Sequence, residues 1–412
     1  MGRVKRLKQA GCGADQVRVD LHALLRHAVD GGASDAHLKI GQPPVLRRDG
    51  TLVPLDGWPS LDEAQLEHIL ATLTQADPAR RQHFDDTGEL DLAYTPTGLP
   101  RFRVNGFRQR GSISFAFRVI PKDVPGFAQL RLPKGVERLA GEHRGLVLVT
   151  GATGSGKTTT LAAVVDHINR TRRQHIVTIE DPIEILHSDH GCIVNQREVG
   201  LDTDSFLAAI RRVLRQDPDV ILIGELRDAE TAETALKAAE SGHLVFSTLH
   251  TIDAAETIGR LVEFFPADKQ EQIRSILAGV LRGVVSQRLL PRVQGGRVAA
   301  VEVMVNNSRI SDLIRERRAE EITDAIAEGQ FFDMQTFSQA LIELVVAGEV
   351  DRETAANAAT NRHDFLVSLD QALKRQAAGV ETDRPVSEAE PEPPPPAEGQ
   401  MPGLRIAGAQ DG

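Results

Sequence analysis

Gly151-Ala152-Thr153-Gly154-Ser155-Gly156-Lys157-Thr158 satisfies G-x-x-x-x-G-K-[ST], the pattern of a phosphate-binding loop. Its flanks carry as much weight as the match. Leu146-Val147-Leu148-Val149-Thr150 is a short aliphatic run suited to a buried parallel strand. Thr159-Thr160-Leu161-Ala162-Ala163-Val164-Val165 continues from the loop as a helix. In that setting the glycines let backbone N–H groups curl around phosphate oxygens, and the helix N-terminus adds its partial positive charge. Lys157 would reach the β- and γ-phosphates and Thr158 would place its hydroxyl on Mg²⁺, with Thr159 beside it at the helix start. The arrangement implies binding of ATP or GTP.

The chain has 412 residues, more than one typical core, so two domains with appendages are expected. Its apolar fraction of 41 % and charged fraction of 26 % are ordinary for a soluble protein. A net charge of −10 argues against a nucleic-acid backbone as the main partner, although Arg211, Arg212 and Arg215 cluster. No apolar run approaches the ~18 residues that span a membrane, and a cytoplasmic location is expected. The basic start, Arg3, Lys5, Arg6 and Lys8, reads as a solvated tail. Cys12 and Cys192 are the only cysteines, which excludes a disulfide framework and a C-x-x-C metal site.

Along the chain, Asp20 can cap a helix in which Leu21, Leu24, Leu25, Ala28 and Val29 share a face, and Gly31-Gly32 stops it. Short strands are expected over 36–40 and 45–48, with a helix over 61–73. Phe102 and Val104 alternate with Arg101, Arg103 and Asn105, and Arg118 stands opposite Phe115 and Phe117. These arginines should project from a half-buried sheet, either as solvated side chains or toward a ligand. Residues 121–132 read as a linker. Beyond it, strands over 146–150, 175–179, 220–223 and 244–248 alternate with helices, which predicts an α/β unit with a parallel sheet. Helices follow over 310–315, 319–327, 334–346 and 353–359. The last stretch is rich in proline and glutamate and reads as disordered. The expected division is a flexible start (1–16), an N-terminal domain (17–120), the linker (121–132), a nucleotide domain (133–305), a helical region (306–376) and the tail (377–412).

Hydrolysis needs an acidic group near Mg²⁺ and water. Val220-Ile221-Leu222-Ile223-Gly224-Glu225 ends a buried strand in a carboxylate, with Gly224 where an aspartate usually stands. Ile179-Glu180-Asp181-Pro182-Ile183-Glu184 gathers three more acids after the preceding strand. His250 follows the strand 244–248, so it could sense the γ-phosphate or donate a hydrogen bond to it.

These motifs resemble the secretion ATPase superfamily of type II secretion and type IV pilus machines, and within it the pilus-retraction branch. The likeness runs from about Ala33 to Leu369. Ala33-Ser34-Asp35-Ala36-His37-Leu38 resembles the N-terminal signature, Glu180–Glu184 the aspartate box, Gly224-Glu225-Leu226-Arg227-Asp228 the atypical strand-end acid motif, and 242–260 the histidine box. The resemblance implies a PAS-like α+β N-terminal domain, a RecA-like P-loop ATPase domain and a helical C-terminal region. It also implies ATP and Mg²⁺ as cofactors, with Glu225 as catalytic base, Glu180 and Asp181 supporting metal and water, and Arg103 and Arg118, rather than Arg101, closing on the nucleotide. A homo-hexameric ring acting on an inner-membrane platform protein is implied as well. The absence of a tetracysteine insert favours retraction over assembly. Arg309-Ile310-Ser311-Asp312-Leu313-Ile314-Arg315-Glu316 resembles the retraction signature but departs from it at Arg309, Ser311 and Asp312, which leaves room for an accessory paralogue working with a second retraction ATPase. A nucleotide-switched, non-catalytic ring subunit and a DNA-pumping ring are the other readings; no nucleic-acid partner is expected.

Overall fold

The computed structural model describes residues 19–377, apart from Asp49 and Lys122. The basic start, Cys12 and the tail beyond Ala377 lie outside the described residues. The fold is mixed α/β, built on two sheets.

The first sheet comprises β1 (Asp35–Lys39), β2 (Val45–Arg48), β3 (Thr51–Pro54), β4 (Glu89–Tyr94), β5 (Phe102–Gln109) and β6 (Ser112–Val119). It is antiparallel throughout, in the order β3-β2-β1-β6-β5-β4. Helix Leu21–Asp30 is capped by Asp20, whose carboxylate accepts the His22 and Ala23 N–H groups. Helix Glu63–Thr74 starts with a reciprocal capping box between Asp62 and Gln65. The core beneath the helices is formed by the inward faces of β5 and β6. Phe102 and Phe117 are fully buried and meet edge-to-face at 6.5 Å. Helix Pro78–Thr87, β3 and β4 are additions to the expected elements. Glu89-Leu90-Asp91-Leu92-Ala93-Tyr94 alternates cleanly, whereas β3 is exposed at all four positions and lacks the apolar signal of a half-buried strand.

The second sheet comprises β7 (Gly145–Thr150), β8 (His175–Glu180), β9 (Ile193–Glu198), β10 (Val220–Ile223), β11 (Leu244–Leu249), β12 (Leu281–Pro291) and β13 (Arg297–Val305). Its order is β13-β12-β7-β11-β10-β8-β9. The expected parallel sheet is present, extended by β9 at one edge and by the β12–β13 hairpin at the other; β13 alone runs antiparallel. Central strands β7, β10 and β11 are buried at every position because helices cover both faces. β9 escapes a periodicity reading because Ile193-Val194-Asn195-Gln196-Arg197-Glu198 runs from apolar to polar without alternation.

Within 121–132, Phe127–Leu130 forms one helical turn, and Phe127 and Leu132 pack on the core of the second sheet. Phe127 stacks on His167 at 4.8 Å. The C-terminal helices include Ser308–Arg315, Ile322–Ala327, Phe337–Val346, Arg352–Ala358 and Arg362–Ala377. The segment expected as one helix over 319–327 opens with a 3₁₀ turn, Ala319–Glu321. The helix expected from 334 starts at Phe337, because Thr336 caps it. Leu341, Phe365 and Leu369 bury against Leu290, Val298 and Ala300 of the hairpin.

Two measurements check this packing. Phe117→Ala is expected to cost about 3–5 kcal/mol, read as a lower urea midpoint. Glu302, buried on β13, has its carboxyl pushed up to about 7 by burial. The folded chain therefore holds this proton more tightly than the unfolded chain, whose carboxyl keeps its ordinary value near 4.5. Unfolding releases the proton in the window between those values, so this group's contribution to stability falls as pH rises through it and levels off above. Urea midpoints at about pH 5 and about pH 7.5 should show that slope in the wild-type chain, and Glu302→Gln should lack it.

Candidate nucleotide site

β7, β11, β10 and β8 pair in parallel, so their carboxyl ends open on one edge of the sheet. Ligands of open parallel sheets sit beyond such an edge. The segments leaving these strands line one cleft of about 480 Å³. The phosphate loop follows β7, the acids from Glu180 follow β8, Gly224-Glu225 follows β10 and His250 follows β11.

Gly156 stands at φ +95°, a left-handed conformation that a side chain would strain, and it caps helix Lys157–Thr171. Thr153, Gly154, Gly156, Lys157, Thr158 and Thr159 face the cleft. Gly151 and Ser155 are buried behind them, and Ala152 is exposed at the loop's start. Lys157 Nζ donates to the carbonyls of Gly151 at 2.7 Å and Ala152 at 3.2 Å. Burial pushes its pKa down, while the charges of Glu225 and Glu184 act in the opposite direction.

The acids stand in different environments. Burial pushes the Glu180 carboxyl up, and hydrogen bonds from Thr178 Oγ1 at 2.7 Å and Gln196 Nε2 at 3.0 Å draw it back. Gln196 Nε2 also donates to the Ile185 carbonyl at 2.9 Å, and its Oε1 accepts the His187 N–H at 2.8 Å. Glu225 is held below the ordinary carboxylate range, chiefly by Arg227, with His250 Nε2 3.4 Å from its other oxygen. Two backbone bonds fix where Glu225 leaves the sheet: Gly224 N donates to the Ile179 carbonyl at 2.8 Å and Leu226 N to that of Thr248 at 3.1 Å. A Cβ on Gly224 would meet the Ile179 carbonyl oxygen and the Phe206 ring, each at 3.3 Å. The missing aspartate thus has a steric reason.

The structure therefore brings Glu180, Asp181, Glu225, His250 and the phosphate loop together. Arg103 and Arg118 do not line this cleft. Arg118 Nε donates to buried Asp35 at 2.9 Å, its register partner on β1. Arg103 lines a smaller cleft of about 290 Å³ between the two sheets, together with Asp181. Arg101, the less favoured arginine, makes the bond that joins the sheets. It donates to Glu198 Oε2 at 2.8 Å, both side chains being only about one-seventh exposed. The same oxygen accepts the Ile183 N–H at 3.3 Å, so the first sheet is tied to the acid loop. Arg211 of the basic cluster is paired with Glu230. Sequence reading missed Gln196, Glu198 and Arg227 as site neighbours; the first two lie on the unrecognised β9, and only the charge of Arg227 two residues past Glu225 offered a signal.

A phosphate loop at the carboxyl edge of a parallel sheet, faced by carboxylates from the next strands, defines a P-loop nucleotide-binding protein. The profile of the type II/IV secretion system protein family matches residues 126–375. The chain is 44 % identical over 347 residues to the type IV pilus retraction ATPase PilT of Pseudomonas aeruginosa, covering 84 % of this chain and 100 % of that one. It is 40 % identical over 352 residues to the type IV pilus ATPase PilU of the same organism, covering 85 % and 91 %. A crystal structure of the pilus retraction motor PilT with bound ADP superposes with a TM-score of 0.77 at 44 % identity, covering 84 % of this chain and 98 % of that one. This chain belongs to the type II/IV secretion system ATPase family.

The tight fit at Gly224 generates a test. Gly224→Asp, which restores the usual strand-end aspartate, is expected to cost roughly 1–3 kcal/mol in urea denaturation through overpacking. It should also weaken nucleotide binding, read by displacement of a fluorescent ADP analogue. A variant as stable and as tight-binding as wild type would contradict the steric account.

Proposed function

We propose that this chain is an ATP-hydrolysing motor of type IV pilus retraction. The observation that carries the reading is the convergence of Lys157, Glu180, Asp181 and the Glu225–His250 pair on one cleft, in a chain similar along nearly its whole described length to a retraction ATPase.

Roles follow from the chemistry of each position. Backbone N–H groups of the phosphate loop and Lys157 hold the phosphates. Glu225 accepts the proton of the attacking water, and His250 orients that carboxylate and meets the γ-phosphate. The donor set fits Mg²⁺: the Thr158 hydroxyl and the Asp181 carboxylate line the same cleft, oxygen donors of the kind a hard cation takes alongside phosphates and waters. Among the described residues no group of three or more His, Cys, Asp or Glu side chains is placed to hold a metal by itself. Bound Mg²⁺ supplies charge neutralisation on the phosphates. Glu180, held by Thr178 and Gln196, orders water beside it.

Six copies form a ring in this reading, with a PAS-like N-terminal unit against each RecA-like unit. Arg103 and Arg118 complete the site when the two units rotate about 121–126. The Arg101–Glu198–Ile183 contact gives that rotation a route to the acid loop. The ring works at the inner face of the cytoplasmic membrane on a platform protein. Among the described residues no helix is long and apolar enough to cross a membrane.

The departures at Arg309, Ser311 and Asp312 favour a second reading, an accessory retraction ATPase beside a main one. The two part in cells: loss of a main motor stops retraction, and loss of an accessory one leaves it slowed.

Phosphate release by the purified chain tests the enzymatic claim. Glu225→Gln is expected to lower kcat by about 100-fold or more with ADP affinity little changed. Lys157→Ala should lose nucleotide affinity itself. Equal background rates in wild type and Glu225→Gln would sink the motor reading and leave a nucleotide-switched subunit.

A further inference from the structure

Glu302 is 4 % exposed, and its carboxylate receives the first backbone N–H of one helix while the start of a second also stabilises its charge. Oε1 accepts from Ala254 N at 2.9 Å, the first residue of helix Ala254–Glu263. The N–H of Phe337, the first residue of helix Phe337–Val346, also favours the charged form of this carboxyl. First-turn N–H groups have no intrahelical acceptor, and each helix start directs positive potential at the carboxylate. The charged groups facing it are Asp253, which caps the first helix, and Arg288 of β12. The opening turn of the second helix, Phe337-Ser338-Gln339-Ala340, carries no charge.

Both helices matter for the nucleotide site. Only Thr251, Ile252 and Asp253 separate His250 from Ala254. That turn is stiff: the Thr251 and Thr257 hydroxyls bond at 2.6 Å, and the Glu256 carboxylate accepts the Ile252 N–H at 3.0 Å. His250 therefore moves with the helix that Glu302 holds. Ser286, opposite Glu302 on β12, accepts the Thr150 hydroxyl at 2.9 Å, directly before the phosphate loop. The second helix belongs to the C-terminal region, where Arg288 lies 3.9 Å over the Phe337 ring.

We propose that Glu302 is a positioning residue for nucleotide turnover, fixing where His250 stands and tying that position to the C-terminal helices. The inference rests on the hydrolysis reading above. Above about pH 7, where it is ionised, Glu302 suits the role because a carboxylate offers acceptors only. An amide turns an NH₂ donor toward one of the two N–H groups, so Glu302→Gln keeps the volume and breaks one link.

The experiment measures ATP hydrolysis and hydrogen exchange with and without ADP for the full chain and Glu302→Gln. Expected is a kcat lowered about fivefold or more with KM within about twofold, kcat being counted per nucleotide-binding site from an ADP titration so that unfolded protein does not enter it. Helix Phe337–Val346 should also lose most of the change in exchange that ADP causes in the wild-type chain. In a folded variant, an unchanged kcat or an unchanged ADP response overturns the proposal. If Glu302→Gln fails to fold, Glu302→Asp replaces it under the same criteria, because its shortened carboxylate reaches only one N–H group. A wild-type chain without hydrolysis would overturn the functional reading, and the ADP response would still decide the role of Glu302.

Discussion

Residues 244–249 hydrogen-bond in parallel to 145–150 on one side and to 220–223 on the other, and 220–223 pairs in turn with 176–179. Everything at the nucleotide site depends on that shared register. It ends four strands at one edge, so four loops far apart in sequence open into one cleft. The register is held because these strands are mostly apolar and bury almost every side chain on both faces, which leaves slippage no soluble alternative. Side-chain bonds reinforce it at the edge, where the hydroxyls of Ser247 and Thr248 donate to the carbonyls of Ile223 and Gly224 at 2.7 Å.

Three carboxylates around this frame show how one fold assigns different duties to one chemical group. Arg227 holds Glu225 in its charged form, suited to a group that receives a proton only during turnover. Glu180 is half-buried and gripped by neutral donors, so its charge is costly and its position is fixed by two hydrogen bonds. Glu302 is deeper still, and two helix starts with Arg288 offset part of its burial cost. Neighbours, rather than residue type, decide each behaviour.

The phosphate loop, the central strands and the strand-end acids were legible because each is a local signal: a glycine pattern, a β-branched run, a carboxylate where the run stops. The helix at Asp20 was legible for the same reason, its cap and its apolar stripe lying within one segment. β9 and the β12–β13 hairpin were not, because their strand character comes from a neighbour's edge and not from their own alternation. Gln196 and Glu198 went unseen with β9. The placement of the arginines was illegible on a further ground. Alternation tells which face Arg101, Arg103 and Arg118 share, but the partner across the gap is set by packing between sheets, and there Glu198 takes Arg101 while Asp35 takes Arg118.

The central claim is that hydrolysis at this cleft powers the withdrawal of pili. Its most direct measurement is fluorescence imaging of labelled surface pili in living cells whose only copy of this chain carries Glu225→Gln. The account predicts pili that extend and stay out, because the altered ring binds nucleotide without turning it over. Ordinary retraction in those cells would contradict it, and cells without pili would assign the motor to assembly instead.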